Sequence, residues 1–180
     1  MRILNSLLAL AMALMFTGEA FAMDKENTLY IDVKYGRVVI EMRPDLAPKH
    51  VAQIKKLARA GTYDNVVFHR VIEGFMAQTG DPDGTGMGGA GERLASEFSS
   101  EHHARGTASM ARSGDPNSAR SQFFIVLADA PHLDRQYTVW GKVVSGMEFV
   151  DMIKKGDPRS GAVANPDKML RVRVAADVKE

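Results

Sequence analysis

The chain has 180 residues, with 23 Lys and Arg, 22 Asp and Glu, and a formal net charge of +1 at pH 7. This balance of charge gives no reason to expect nucleic acid or an anionic membrane as a partner. Because the chain contains no Cys, a disulfide framework, thiolate catalysis and Cys-ligated zinc are all excluded.

The first 22 residues have the organisation of a secretory signal peptide. Arg2 supplies a positive charge, Leu7 to Phe16 form an apolar run of ten residues, and Ala20-Phe21-Ala22 is a small-x-small site. The apolar run is shorter than the ~20 residues that a membrane-spanning helix needs. An uncleaved anchor would leave the charge and the small-x-small site unexplained. We therefore expect cleavage after Ala22, one domain over residues 23–180, a periplasmic location, and no membrane association after cleavage.

The next segment predicts a β-hairpin followed by a helix. Apolar and polar residues alternate over Leu29 to Val33 and over Val38 to Met42, on either side of a turn at Gly36. Alternation with a period of two is typical of strands with one buried face. Between Pro48 and Gly61 the apolar residues recur at helical spacing instead, with a first-turn proline and a glycine stop.

The rest of the chain predicts mostly short strands. Five apolar runs follow one another between glycines: Val66 to Ile72, Phe75 to Thr79, Thr107 to Ala111, Phe123 to Leu127 and Tyr137 to Val144. A second short helix is predicted over Met147 to Ile153, and a last strand over Leu170 to Val174. Because strands at the two ends of the domain can pair, the pattern favours a mainly β fold, a closed antiparallel β-barrel with two capping α-helices.

The segment around Arg70 concentrates residues of interest. If the first two runs are adjacent strands, alternation places Arg70 on one face with Phe68 and Ile72, and places His69 on the opposite face. A guanidinium among apolar neighbours needs hydrogen-bond acceptors, because an unpaired buried charge is costly. The amide oxygen of Gln78 is a candidate acceptor.

Several separated motifs in this chain occur in the same order in one known family. They are Phe68-His69-Arg70-Val71-Ile72, Gly74-Phe75-Met76, Gln78, Gly80-Asp81, Ser109-Met110-Ala111, Ser121-Gln122-Phe123-Phe124-Ile125, Leu133-Asp134 and Val139-Trp140-Gly141-Lys142-Val143. With these motifs the sequence resembles the cyclophilin family over essentially all of residues 23–180. The resemblance implies an eight-stranded antiparallel barrel closed by two helices, and proline isomerisation without a cofactor.

The resemblance also implies a set of site residues. The catalytic arginine corresponds to Arg70, and the glutamine that orients it corresponds to Gln78. The floor and walls of a proline pocket correspond to Phe75, Met76, Phe124 and Leu133. Gly84 and Thr85 correspond to the rim of a neighbouring subsite, and Ala111, Arg112 and Ser113 to a strand-edge segment whose backbone pairs with the substrate. The remaining substrate-binding positions are His69, Gln122, His132 and Tyr137.

Three of these positions depart from the common family pattern. His132 stands where many eukaryotic members carry a tryptophan, and Tyr137 stands where they carry a histidine. Since that tryptophan is important for cyclosporin binding, at best weak binding of cyclosporin is expected. Arg112 replaces a common asparagine, but a backbone contact survives that change. Trp140 replaces a phenylalanine and is interpreted as core packing.

Two other patterns suggest ligands but have simpler interpretations. The segment from Asp81 to Glu92 approaches the spacing of an EF-hand calcium loop, yet it is rich in glycine and no helical pattern flanks it. It is interpreted as a surface loop, and no metal is expected. Adjacent side chains on an extended segment point to opposite faces, so His102 and His103 are interpreted as exposed loop histidines.

The expected function is therefore that of a peptidyl-prolyl cis-trans isomerase acting on proline-containing polypeptides during the folding of exported proteins. A monomer without cofactor is expected. The alternative is a non-catalytic chaperone module that binds proline peptides on the same fold. A calcium-dependent module is a third interpretation. The presence of Arg70 favours the enzyme, because a module that only binds could lose the arginine.

Overall fold

The computed structural model describes residues 23–179, so the predicted signal peptide lies outside the described residues. Within this described range, ten strands and two α-helices follow one another: β1 Thr28–Val33, β2 Gly36–Met42, α1 Pro48–Arg59, β3 Val66–Val67, β4 Arg70–Ile72, β5 Met76–Thr79, β6 Thr107–Met110, β7 Phe123–Val126, β8 Val139–Ser145, α2 Met147–Asp151, β9 Lys168–Met169 and β10 Arg171–Val174. Eight strands form one sheet in the order β10-β1-β2-β8-β6-β7-β5-β4, and β3 pairs separately with β9.

The sheet is open, which corrects the expectation of a closed barrel. Its end strands, β4 and β10, do not pair with each other, and the sheet is a strongly curled half-barrel. The free edge of β4 is covered by a loop instead of a strand. Val71 donates its N–H to the carbonyl of Gly161 at 2.8 Å and accepts from Gly156 at 2.9 Å. These bonds satisfy the edge without closing the ladder. The mainly β class, the antiparallel pairing and the two helices agree with expectation.

The run from Val66 to Ile72 is two strands and not one. Val67 pairs with Lys168 of β9, whereas Arg70 pairs with Gln78 of β5. Because the chain changes partners between these strands, the alternation of a continuous strand is not kept. Phe68 is 1% exposed and packs in the main core together with Val71. The expectation that Phe68 shares the face of Arg70 is therefore wrong.

Strand β7 separates two apolar clusters. Phe123 and Ile125 point into the main core inside the curl of the sheet, while Phe124 and Val126 point into a second, smaller cluster. The second cluster also contains Met76, Ala130 and Leu133. Trp140 is fully buried in the main core, with its ring edge-on to Phe123 at 5.2 Å. Its interpretation as core packing is confirmed.

Helix α1 covers one side of the main core and is capped from a distant segment. Its N-cap residue, Ala47, has no side chain to accept a hydrogen bond. The carboxylate of Glu97 accepts instead from the backbone N–H groups of Lys49 at 3.2 Å and His50 at 3.1 Å. This arrangement satisfies two of the free donors of the first turn. Among the described residues, no helix is both long and apolar enough to cross a bilayer.

Candidate active site

A groove runs along the outer face of the sheet where the β4–β5 hairpin, β7 and the 3₁₀ turn Pro131–Leu133 meet. Its volume is about 330 Å³. Ten residues line it, and each is among the positions predicted from the sequence: Arg70, Phe75, Met76, Gln78, Ala111, Arg112, Phe124, His132, Leu133 and Tyr137. The fold therefore gathers onto one surface residues that lie up to 67 positions apart.

The floor of the groove is an apolar slot. Met76, Phe124 and Leu133 are buried by the second apolar cluster and present little more than one face each. The ring of Tyr137 meets Phe124 edge-on at 5.7 Å, and His132 lies 5.4 Å from the ring of Phe75. Aromatic contacts at these distances hold the rings in place. The slot thus offers a rigid apolar surface to a compact ring such as that of proline.

Arg70 lies at the edge of this slot, and neutral oxygens hold it. Its Nη1 donates to the side-chain oxygen of Gln78 at 3.3 Å, and its Nε donates to the carbonyl of Ser160 at 3.1 Å. Within residues 23–179 the Arg70 guanidinium forms no ion pair. A guanidinium has five N–H donors. Arg70 is therefore anchored at two points and keeps donors for a ligand.

A relay of side-chain amides continues from Arg70 into the glycine-rich loop. Gln78 Nε2 donates to Gln122 Oε1 at 2.9 Å. The Gln122 amide nitrogen donates in turn to the carbonyls of Gly86 at 3.0 Å and Gly88 at 2.8 Å. These partners fix the amide orientations, because a donor nitrogen must face each accepting carbonyl. The Gln78 oxygen consequently faces Arg70.

The loop that receives this relay is organised around Asp81. This residue is fully buried, and its carboxylate accepts the backbone N–H groups of Asp83, Thr85, Gly86 and Gly88 at 2.7–3.1 Å. Burial raises the pKa of Asp81, but the hydrogen bonds outweigh burial and hold the pKa below its ordinary value. Oxygens engaged in this way are not directed at a cation. Among residues 23–179, no cluster of three or more His, Asp or Glu could hold a metal ion.

A second pocket of about 320 Å³ adjoins the slot and shares the wall formed by Gln78, Ala111 and Arg112. Its other lining residues are Gly86, Met87, Gly88, Arg93, Ser113, Ser118, Arg120 and Gln122. Of the predicted site residues, Ser113 and Gln122 thus lie here. Gly84 and Thr85 line neither pocket. The hydroxyl of Thr85 instead donates to Asp81 inside the loop.

His69 lies beneath the glycine-rich loop and also lines neither pocket. A Cβ added at Gly86, where φ is +82°, would come within 3.0 Å of the His69 ring. Neither ring nitrogen has a hydrogen-bond partner, and burial lowers the pKa of His69. Its position is that of a neutral packing residue that supports the loop.

The interpretation of both neighbouring histidines as exposed is wrong for His103. His103 is 1% exposed and lies behind the slot, with its ring 6.3 Å from that of Phe124. Its Nδ1 is 3.0 Å from Asp134 and its Nε2 is 3.0 Å from the hydroxyl of Ser109. His102 is exposed, as expected, and shares the same carboxylate at 2.8 Å. Asp134 follows Leu133 directly, so this network holds the turn that forms the slot wall.

Four further residues near the groove were not foreseen from the sequence. Ser160 contributes only a backbone carbonyl, which any residue type could supply. Asp134 was noted only as part of a motif. Arg93 and Arg120 lie in irregular segments, where no periodicity predicts the direction of a side chain. In the sequence, the one sign of a role in the groove is that Arg93 follows the glycine-rich loop and Arg120 follows the Ser-rich loop.

Comparison with known proteins gives concordant results. The model of a family described as cyclophilin type peptidyl-prolyl cis-trans isomerase/CLD matches residues 28–174. A probable peptidyl-prolyl cis-trans isomerase of Brucella suis is 56% identical over 173 residues, which cover 89% of this chain and 88% of the relative. The crystal structure of cyclophilin AquaCyp293 from Hirschia baltica superposes with a TM-score of 0.78 at 28% identity, covering 87% of this chain and 76% of that one.

A second solved structure bears on the groove. It is a cyclophilin-type peptidyl-prolyl cis-trans isomerase of Cryptosporidium parvum, determined in the presence of the dipeptide Ala-Pro. It superposes with a TM-score of 0.75 at 30% identity, covering 82% of this chain and 98% of that chain.

Proposed function

Because this chain belongs to the family of cyclophilin-type peptidyl-prolyl cis-trans isomerases, we propose that it catalyses rotation about X-Pro bonds in exported polypeptides, with Arg70 as its catalytic residue. The observation that carries the assignment of Arg70 is the adjacency of its guanidinium to the apolar slot. Both belong to one groove of about 330 Å³. A charged donor beside a ring-sized apolar surface suits this reaction and few others.

The reaction asks for electrostatic stabilisation and positioning, without covalent chemistry. Rotation about a peptide bond is opposed by a barrier of ~18–20 kcal/mol, because the nitrogen lone pair is delocalised into the carbonyl. When the bond twists, that lone pair becomes localised on the prolyl nitrogen. A fixed cationic donor near the nitrogen stabilises the twisted state more than either planar state, and this difference is catalysis.

Different residues of the groove bind the prolyl ring and stabilise the twisted bond. The slot formed by Met76, Phe124 and Leu133 immobilises the prolyl ring while the rest of the chain rotates. Arg70 supplies its remaining N–H groups to the prolyl nitrogen, and Gln78 and the Ser160 carbonyl fix the position of its guanidinium. Arg is suited to the role because it remains protonated and its donors form a rigid array, whereas Lys is a flexible point charge.

A protease-coupled proline-peptide assay on purified protein tests the enzymatic role. Arg70→Ala should lower kcat/KM by about 100-fold, the loss typical of removing one transition-state donor, while peptide affinity measured by calorimetry changes little. Arg70→Lys should remain impaired. Phe124→Ala should reduce both turnover and affinity, because it opens the slot. Arg171→Ala, at an exposed arginine on β10, is the matched control.

The result that contradicts the assignment is an equal loss of affinity and turnover in Arg70→Ala. The absence of acceleration by the unaltered protein would leave the alternative, a chaperone module that binds proline peptides without isomerising them. The assay therefore separates the two functions on the same groove.

Export to the periplasm, cleavage after Ala22 and action as a monomer complete the proposal. The support for export and cleavage is the charge, apolar run and small-x-small site of residues 1–22. Mass spectrometry of the chain recovered from the periplasmic fraction should show Met23 at its N-terminus. Recovery of the intact chain from the cytoplasm would contradict this location. Calorimetry with cyclosporin should give at best weak binding, since His132 replaces the tryptophan.

A further inference from the structure

The second pocket combines several cationic groups with no anionic group. Arg93, Arg112 and Arg120 line it, and Arg70 lies just beyond the shared wall. No Asp or Glu lines either pocket. The whole chain has a net charge of only +1, so this concentration of positive charge is local to the groove.

These arginines also differ from most others in the structure. Arg37, Arg43, Arg59, Arg105 and Arg173 each form an ion pair with a carboxylate. In the part of the chain from 23 to 179, none of the three arginines of the second pocket does so. Arg135, Arg159 and Arg171 also form no ion pair among the described residues, but none of them lines either pocket. The second pocket therefore gathers three unpaired guanidinium groups on one surface.

The hydrogen-bond inventory of the second pocket gives an independent argument. Arg120 is anchored by Nε and Nη2 to the carbonyl of Gly91 at 3.1 and 3.0 Å, which leaves Nη1 unused. Arg112 is held by the carbonyls of Gln136 and Ser113 and lies over the Tyr137 ring at 4.6 Å. Arg93 has no partner among the described residues.

The side-chain acceptors of the pocket, and two of its backbone carbonyls, are already engaged by donors of the protein. The carbonyls of Gly86 and Gly88 accept from Gln122, and the Gln122 oxygen accepts from Gln78. The Ser118 hydroxyl donates to the Asp115 carbonyl and accepts from Ser113. The arginine N–H donors of the pocket therefore have no free side-chain acceptor within it. A carboxylate supplies several acceptor sites and a negative charge, and it matches guanidinium geometry.

On this basis we propose that the second pocket selects substrates carrying an Asp or Glu side chain close to the proline, with Arg93 and Arg120 as specificity-determining residues. The two pockets share the wall of Gln78, Ala111 and Arg112. An extended chain advances ~3.3 Å per residue, so one peptide can place a prolyl ring in the slot and an acidic side chain a few residues away in the second pocket. This inference rests on the proposed isomerase function.

The test is a set of matched proline peptides in the coupled assay. One host peptide carries Gln, Glu or Lys in turn at each of the three positions before and the three positions after proline. Glu should raise kcat/KM about fivefold over Gln at one or two positions only, because exposed ion pairs are individually weak and just one pocket holds the arginines. The ratio should fall markedly at about 0.5 M salt, where exposed charges are screened.

Variants assign the effect to the pocket. In Arg93→Gln/Arg120→Gln the Glu-to-Gln ratio should fall to about one, whereas Arg171→Gln should retain it. In Arg93→Glu/Arg120→Glu the same position should favour Lys over Gln. Because each ratio compares two peptides on one enzyme preparation, a partly unfolded variant does not distort it.

Equal rates for Glu and Gln peptides at every position overturn the inference. So does the same enhancement at all positions, which would reflect long-range attraction without a pocket, or a ratio unchanged in the double glutamine variant. If no peptide is accelerated at all, the isomerase function itself fails, and that outcome is distinct from the others.

Discussion

Arg70 and Gln78 are register partners across the β4–β5 hairpin, and their side chains meet at 3.3 Å between Nη1 and Oε1 on the outer face of the sheet. The backbone pairing brings their Cα atoms opposite one another, and alternation turns both side chains toward the groove. The orientation of Arg70 therefore depends on a neighbour that the fold itself supplies.

Replacement of Gln78 tests this dependence. Gln78→Leu removes the acceptor of Arg70 and the donor to Gln122, so the guanidinium loses one of its two anchors. We expect kcat/KM to fall about tenfold, in keeping with the ~1.5–3 kcal/mol of a hydrogen bond to a charged group. Most of the loss should appear in kcat, measured by the coupled assay. Glu73→Gln, in the exposed turn of the same hairpin, is the control. A variant as active as the unaltered protein would refute the positioning role.

A substitution at Gly161 provides a second test of the position of Arg70. Its φ is +77°, and an added Cβ would come within 2.9 Å of Arg70 Cγ and 2.6 Å of Ile72 Cγ1. Gly161→Ala should therefore both destabilise the fold and lower kcat/KM, because Arg70 must shift. Gly74→Ala is a matched control, since φ is +68° there and nothing lies within 4 Å.

Both glycine variants should lose about 1–2 kcal/mol of stability from the left-handed backbone. Only Gly161→Ala should also lose turnover when the fraction of folded protein is equal. Thermal unfolding and the coupled assay on the same samples give the comparison. Equal turnover in the two variants would show that the contact with Arg70 does not matter.

Asp81 should determine much of the acid stability of the glycine-rich loop. Asp81→Asn removes the charge that accepts four backbone N–H groups, so the free energy of unfolding should fall by about 2–4 kcal/mol. Asp83→Asn is the control, because the Asp83 side chain is exposed and accepts no hydrogen bond among the described residues. Urea unfolding measures both. Equal losses in the two variants would show that the hydrogen bonds to Asp81 are not special.

The pH dependence of that contribution has a definite sign. The pKa of Asp81 is lower in the folded protein than its ordinary value. Its contribution is therefore complete above the ordinary carboxyl pKa of about 3.9 and is lost as pH falls through the folded value. The difference between the unaltered protein and Asp81→Asn should shrink in strongly acidic solution and stay constant near neutrality.

His103 should make stability depend on pH in a range closer to neutrality. Burial lowers its pKa despite the hydrogen bond and charge of Asp134, with His132 lowering it further. A histidine of lowered pKa contributes stability above its unfolded pKa of about 6.5, and the contribution is lost as pH falls through the folded value. The free energy of unfolding should consequently decline as pH falls below about 6.5.

The neighbouring histidine must be removed first, because its own pH dependence opposes this decline. The hydrogen bond to Asp134 raises the pKa of His102, whose contribution is lost as pH rises. The experiment therefore uses His102→Gln as the background and adds His103→Asn, with urea unfolding across the range. The added substitution should reduce the decline to the part contributed by His69, whose pKa burial also lowers. An identical pH dependence in both chains would remove His103 as its source.

The sequence predicted the parts of the fold that alternate or repeat. The hairpin of β1 and β2 and the helix from Pro48 lie where period and proline placed them, because one buried face dictates the pattern. The outward faces of Met76 and Phe124 followed from the motifs that carry the family resemblance. Strand alternation, helical spacing and a first-turn proline each depend only on residues that are close together in the sequence, so the sequence alone is sufficient to predict these elements.

The sequence-based expectations are wrong where the structure of a segment depends on a partner far away in the chain. The strand around Phe68 breaks because β9, about a hundred residues later, competes for its first half. His103 is buried because Asp134 and Ser109 supply its hydrogen bonds, and composition gives no sign of such partners. The open sheet edge depends on a loop carbonyl at Gly161. Since every residue has a backbone carbonyl, the residue type does not indicate which carbonyl accepts such a hydrogen bond.

Because the two faces of β7 pack in different clusters, substitutions on one face and on the other affect different properties of the protein. Substitutions at 124 alter the peptide surface and leave the interior of the curl intact, so ligand preference and thermal resistance can vary separately. Adding or deleting one residue within the strand is different, because it would exchange every inward side chain with its outward neighbour. Variation in length is therefore tolerable only in the loops, where it leaves the alternation of the strands unchanged.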